Sequence, residues 1–284
     1  MKSKKLNDNG HLLSSDDLRE KIHAANVELH RFEAKYYTLV HPEVYNPYEQ
    51  KRIISTLKMI DNLMADVTPV KKALDFGAGT GNLTGKLLKM GYVVTAVDIS
   101  AEMCSLLETT YKSYVNSKQL TVISSPIEDV NFDEGEFDLI TCYSVLHHLP
   151  DYLGAIQKLS VFLKQGGVLY LDHEASPSYW NNEPRLLPHL LKHLYFHSNP
   201  ILNTLYFQLV GISVPSLDYT MSDYWHKKDH HIDHEQIEHL FEKENFDSFT
   251  RKDYHLKGTW FPNPIFYLYK SMCKPEMSSW IAKK

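Results

Sequence analysis

Apolar positions along this chain change their period several times, and the changes divide it into a helical lead, an alternating centre and a second helical stretch. From Ser14-Ser15-Asp16-Asp17, a cluster of N-cap residues, an amphipathic helix is expected to run to about Lys35. A second is expected over Pro47–Met64, ended by Val67-Thr68-Pro69. Between Lys71 and Glu174 the runs Tyr92–Val97, Phe137–Thr141 and Lys164–Leu171 read as strands separated by helical patterns. That alternation predicts an α/β, doubly wound parallel sheet with right-handed crossovers. Pro184–Val210 is strongly apolar and is broken at Asn199-Pro200 into two helices. Asp233–Asn245 reads as a helix, and Phe249–Tyr254 and Ile265–Lys270 read as two closing strands.

Composition narrows the function classes. With 284 residues and 43% hydrophobic content, the chain can bury one sizeable core with a helical elaboration. A net charge of −5 gives no electrostatic footprint for nucleic acid. No run reaches the ~18 apolar residues of a membrane span, and the Lys-rich start lacks the apolar core of a signal peptide. Cys104, Cys142 and Cys273 are too widely spaced for a disulfide framework or a CxxC metal pair, so a cytoplasmic setting is expected.

The chemistry is signalled at Leu74–Thr84, L-D-F-G-A-G-T-G-N-L-T. A strand ends at Asp75, turns through Gly77, Gly79 and Gly81, and enters a helix at about Asn82. Glycine lets the backbone take positive φ and lets a ligand approach without a Cβ in the way. A dinucleotide site wants G-x-G-x-x-G, whose third glycine would fall on Asn82. The pattern D-x-G-x-G-x-G instead resembles motif I of the class I S-adenosylmethionine-dependent methyltransferases. Asp98-Ile99-Ser100-Ala101-Glu102-Met103 is similar to that family's D-I-S-x-x-M segment. Ser144–Leu149 (S-V-L-H-H-L) and Lys164–Leu171 (K-Q-G-G-V-L-Y-L) also resemble family segments, with Gln165 replacing a proline. The likeness covers about residues 71–174, and more loosely 246–269.

The resemblance implies a mostly parallel seven-stranded sheet with a terminal antiparallel hairpin, N-terminal helices and a helical insertion after the fifth strand. It implies S-adenosyl-L-methionine as cofactor, held by Tyr36, Asp75, Gly77, Ala78, Gly79, Asp98, Ile99, Met103, Ser125, Ile127, Cys142 and His147. Asp98 would accept hydrogen bonds from the ribose hydroxyls, and Ile99 and Met103 would pack on adenine. One departure stands out: the acidic residue that the family places after the third strand falls here on Ser125 or Pro126. A F-x-x-x-Y-like pair, Phe32 and Tyr36, is expected to close over the cofactor, its alternative being plain packing of the N-terminal helices.

These readings divide the chain into a flexible start (1–12), a helical covering segment (13–70), a cofactor core (71–174), a helical insertion (175–245) and C-terminal strands with a tail (246–284). The 184–210 helices are read as a substrate lid, with a homodimer interface or ordinary core as alternatives. Sixteen histidines are present; His189, His193 and His197 share one helix face. No metal is expected, because no cysteine or carboxylate completes a ligand spacing and methyl transfer from a sulfonium needs none. His148, His173 and His231 are the candidate general bases. The expected function is methyl transfer to a small, partly apolar acceptor at O, N or C. Its competitors are a catalytically silent methyltransferase-like subunit and an NAD(P)-dependent oxidoreductase.

Overall fold

The computed structural model describes residues 14–34, 36–64, 71–180, 209, 219–257 and 263–284. Leu209 apart, the 184–210 segment of the lid and dimer readings lies outside the described residues, as do the His189/His193/His197 row and residues 1–12.

Seven strands form one sheet in the order β3-β2-β1-β4-β5-β9-β8. They are β1 (Lys72–Phe76), β2 (Val93–Asp98), β3 (Leu120–Ser124), β4 (Phe137–Tyr143), β5 (Leu163–Ala175), β8 (Ser248–Tyr254) and β9 (Met277–Lys283), while β6 (His226–Lys227) and β7 (His230–His231) pair in a separate two-stranded sheet. β1 through β5 are parallel, and β9 runs antiparallel between β5 and β8. β4 is buried along its whole length, its polar Asp138 and Thr141 included, as a central strand covered on both faces is. The chain order reverses between β1 and β4, which opens a crevice at the C-terminal ends of β1, β2 and β4.

Caps fix the helices around that crevice. Ser14 and Asp17 form a reciprocal capping box that starts α1 (Ser15–Glu33). Asn46 accepts from the Tyr48 and Glu49 amides, and Pro47 occupies the first turn of α4 (Pro47–Leu63). Two short helices, α2 (Tyr37–Val40) and α3 (Pro42–Tyr45), join α1 to α4. Ser100 caps α6 (Ala101–Thr110), which follows the tip of β2.

The sheet's far edge departs from the sequence reading. Ile265–Lys270 is not a strand; it lies in a helix, Asn263–Met272, and the closing strand is β9. In that stretch Phe266, Tyr269 and Cys273 recur at helical spacing, and Tyr269 and Cys273 form a small buried cluster with Phe266 and Met272. The run Met277-Ser278-Ser279-Trp280 carries two serines into the sheet between β5 and β8. Its serines are satisfied across the ladder, Ser278 by the Asp253 carboxylate at 2.7 Å and Ser279 by the Lys252 carbonyl at 3.2 Å. Trp280 is fully buried.

Candidate functional site

The glycine turn is built as its sequence demands. Gly77 and Gly79 take φ of +68° and +52°, in the left-handed region. A Cβ on Gly77 would meet Val145 Cγ2 at 2.2 Å, so the turn packs directly on the segment after β4. A Cβ on Gly79 would meet nothing within 4 Å and would project into open space. Asp75 sits beneath the turn, its two oxygens held by Thr84 Oγ1 at 2.5 Å and Thr141 Oγ1 at 2.8 Å. Burial raises its pKa, and those hydroxyls oppose the shift.

Asp98 closes the other side. One carboxylate oxygen accepts from the Gly79 amide at 2.8 Å and the other from the Ser100 amide at 2.8 Å. The tip of β2 is thereby tied to the glycine turn, while each oxygen keeps a second lone pair for a ligand hydroxyl. Burial pushes its pKa up, with the two amides pulling the other way.

A cleft opens between these groups. Its floor carries Gly77, Gly79, Asp98, Ile99 and Met103, and its far wall carries Ser125, Pro126 and Ile127. A second, smaller cavity shares Gly77 and Gly79 and reaches Asp75, Ala78 and Thr80. Tyr37 and Tyr143 line both cavities, and Tyr45 seals the smaller one through a 2.9 Å bond to Thr80 Oγ1.

Helix α1 lies across the cleft and presents His23, Asn26 and His30 to it. The sequence reading missed this row; its signal was a polar Asn26 on the same helix stripe as the buried Ile22 and Leu29. Asn26 Nδ2 donates to the Ile22 carbonyl at 3.0 Å and the His148 carbonyl at 2.9 Å, which fixes the amide's orientation. Asn26 Oδ1 and His30 Nδ1 are then buried without a hydrogen-bond partner among the described residues. Burial and the neighbouring His148 lower the His30 pKa to about 3, so its ring is neutral. Paired polar atoms are the rule in protein interiors, so two orphans in residues lining one cleft mark a place for a ligand.

The predicted residues separate under this geometry. Gly77, Gly79, Asp98, Ile99, Met103, Ser125 and Ile127 line the main cleft, and Asp75 and Ala78 line the smaller cavity. Cys142 does not; strand alternation sends its side chain into the apolar core with Leu74 and Val97, and its neighbour Tyr143 faces the cleft instead. Tyr36 is also displaced. Helix α1 ends at Glu33, so the helical spacing from Phe32 is lost, and Tyr37 takes the cleft position.

Among the candidate bases, His148 lines the cleft; burial, then the neighbouring His147, lowers its pKa. His147 turns away, its Nδ1 2.8 Å from Glu174. His173, at φ +66°, stacks on Tyr143 and bonds its hydroxyl at 2.9 Å beneath the cleft. His231 stacks on Trp180 and bonds the Lys228 carbonyl, outside the cleft lining.

The cover over the cleft is locked by charge. His41 bridges Glu33 at 3.2 Å and Glu43 at 3.1 Å. Burial alone would push its pKa down, but hydrogen bonds and charge from the two glutamates outweigh it and hold it up at about 10. A raised imidazole pKa adds stability that is complete below the unfolded value of about 6.5 and is lost as pH rises through about 10. Thermal melts should therefore show wild type losing stability between pH 7 and 10 relative to His41→Gln. Parallel curves for the two proteins would remove His41 from that role.

Comparison with known proteins agrees with the geometry. Residues 74–171 match the family described as a methyltransferase domain. A ubiquinone biosynthesis O-methyltransferase of Xanthomonas campestris pv. campestris is 34% identical over 105 residues, covering 37% of this chain and 43% of the relative. That of Coxiella burnetii is 36% identical over 104 residues, 36% of this chain and 43% of the relative. The match thus spans less than half the length of these curated relatives. Phosphoethanolamine N-methyltransferase 2 of Haemonchus contortus superposes with a TM-score of 0.57 at 13% identity, over 96% of this chain and 60% of its own. Magnesium protoporphyrin IX methyltransferase of Synechocystis, solved with S-adenosylhomocysteine, gives 0.51 at 14% identity, over 92% and 99%. These likenesses show a Rossmann-like methyltransferase fold, and the family match identifies residues 74–171 as a methyltransferase domain.

Proposed function

We propose that this chain binds S-adenosylmethionine in the main cleft and transfers its methyl group to a small, partly apolar acceptor. The observation that carries this reading is the Asp98 carboxylate held against the Gly77–Gly79 turn, with Ile99, Met103 and Ile127 lining the same cleft. Residues and group fit: Asp98 has lone pairs for two adjacent ribose hydroxyls, the apolar residues suit the adenine faces, and the smaller cavity offers Asp75 and the turn to an amino acid end. The cofactor's sulfonium makes its methyl electrophilic, so the protein's task is alignment and exclusion of water. Tyr37 and Tyr143 wall the cleft, and α1 covers it. His148 is the candidate whose neutral ring faces an acceptor there.

Asn26 fits the gap left at Ser125 and Pro126. Its oriented, unpartnered Oδ1 is an acceptor for the adenine amino group. In isothermal titration, S-adenosylhomocysteine should bind while NAD does not, and Asn26→Leu should weaken binding about tenfold, near the worth of one buried hydrogen bond. Binding of NAD alone would sink the methyltransferase reading; an unchanged Asn26→Leu would remove only the adenine contact.

The naming of the curated relatives for ubiquinone biosynthesis makes quinone-like acceptors the first class to assay. No helix among the described residues is long and apolar enough to cross a membrane. Cys104 and Cys142 are buried free thiols, which supports a cytoplasmic setting.

A further inference from the structure

The turn after β4 carries more than the cleft wall. His147 and His148 lie there side by side, ring centroids 4.1 Å apart. Asp223, which follows the helix Tyr219–Ser222, meets them from far along the chain, and one donor atom from each of the three lies within 4.8 Å of the others. No carboxylate completes a recognised ligand spacing with these histidines along the chain, and folding supplies Asp223.

Hydrogen bonds around the trio resemble the support that metal sites give their ligands. The Glu174 carboxylate holds His147 Nδ1 at 2.8 Å, while that carboxylate also accepts from the Leu146 amide at 2.9 Å. A carbonyl only accepts, so the Ser222 carbonyl, 2.9 Å from His148 Nδ1, places the proton there. Each ring is therefore oriented through Nδ1, where Asp223 Oδ1 also lies 3.4 Å from His148 Nδ1, and keeps its Nε2 lone pair. A carboxylate or carbonyl behind an imidazole is the usual outer partner of a metal-binding histidine. His226 stands beside the trio, its ring centroid 5.6 Å from that of His147.

We propose that His147, His148 and Asp223 form a divalent-cation site of the two-imidazole, one-carboxylate type. The donor set selects zinc, cobalt or nickel over magnesium, which prefers an all-oxygen shell. A tetrahedral zinc with bonds of about 2.0–2.1 Å holds its donors roughly 3.4 Å apart, so binding requires the part-exposed Asp223 carboxylate to move from His148 Nδ1 to the Nε2 side. Such an ion joins the cleft-lining His148 to the segment that follows residues 181–218. It also takes the lone pair that would make His148 a base, so the two roles exclude each other.

The site does not depend on the methyl-transfer reading and is tested without cofactor. The full chain, stripped with EDTA, is titrated with Co²⁺ and followed by its visible d–d bands, then challenged with Zn²⁺. One tight equivalent is expected, displaced by zinc. Asp223→Asn, at a part-exposed position, should weaken Co²⁺ binding tenfold or more, and Glu174→Gln about 10–100-fold through His147. His239→Ala, at an exposed histidine paired with Glu242, should change nothing. No tight equivalent in wild type overturns the site. Equal binding by wild type and Asp223→Asn, both folded by circular dichroism, also overturns it, by assigning the ion to other histidines.

Discussion

Gly79→Arg should fold and lose S-adenosylhomocysteine. At φ +52° any side chain carries a backbone cost of about 1–2 kcal/mol, which a domain of this size survives. No atom stands within 4 Å of the added Cβ, and Gly79 lines the cleft, so the arginine side chain competes for the space that a cofactor would fill. Affinity should fall at least about 100-fold, which is roughly 2.7 kcal/mol, by isothermal titration against a circular dichroism spectrum that does not change. Gly77→Ala is the informative contrast. Its Cβ would lie 2.2 Å from Val145, so that substitution lowers the melting temperature as well as the affinity. A Gly79→Arg protein that binds like wild type would place the cofactor elsewhere.

The contrast shows what a sequence pattern can and cannot say. Spacing alone marked both glycines, because a strand-to-helix turn with positive φ needs them wherever they lie. That one glycine faces Val145 and the other the cleft depends on how the segment after β4 returns to the turn, and no local pattern records it. Asp98 was legible for a similar reason: a carboxylate at the tip of a β-branched run, before a capping serine, has few other places to go. Asn26 and His30 were not, since a helix stripe shows which face is buried but not what buries it. Tyr36 failed through a single residue, the helix ending at Glu33 rather than about Lys35. Cys142 failed through strand alternation, which a run buried on both faces conceals. β9 failed because its serines are satisfied by partners on β8 that only the finished sheet supplies. The polar groups behind the cleft were the least legible, because their meeting is a property of the assembled layers.

Those groups carry the second large effect. Arg52 on α4 reaches through to Glu49 at 2.5 and 2.9 Å and to the fully buried Asp172 on β5 at 2.7 Å. Its guanidinium also lies over the Tyr254 ring, 3.8 Å from the centroid. Tyr170, Tyr254 and the His173 amide donate to Asp172, and Tyr143 donates to Glu49 at 2.8 Å. The network therefore couples the N-terminal cover to the strand ends that carry the cleft-lining Tyr143. Arg52→Met keeps much of the apolar stem but strands two buried carboxylates, a loss of about 3–5 kcal/mol. At this chain length that lowers the melting temperature by roughly 10 °C. Adding Asp172→Asn removes one stranded charge and should restore part of the loss, which a simple packing defect would not allow. The pH dependence separates the two causes further. Burial opposes ionisation of Glu49, but Arg52 and His173 outweigh it and hold its pKa at about 2. Depressed this way, Glu49 contributes stability above its unfolded value of about 4.3 and loses it as pH falls toward 2. In Arg52→Met the main counter-charge is gone, so the destabilisation relative to wild type should be largest near neutrality and shrink below pH 4. A difference that stays constant from pH 7 to pH 3 would show that Arg52 acts by packing and not by charge.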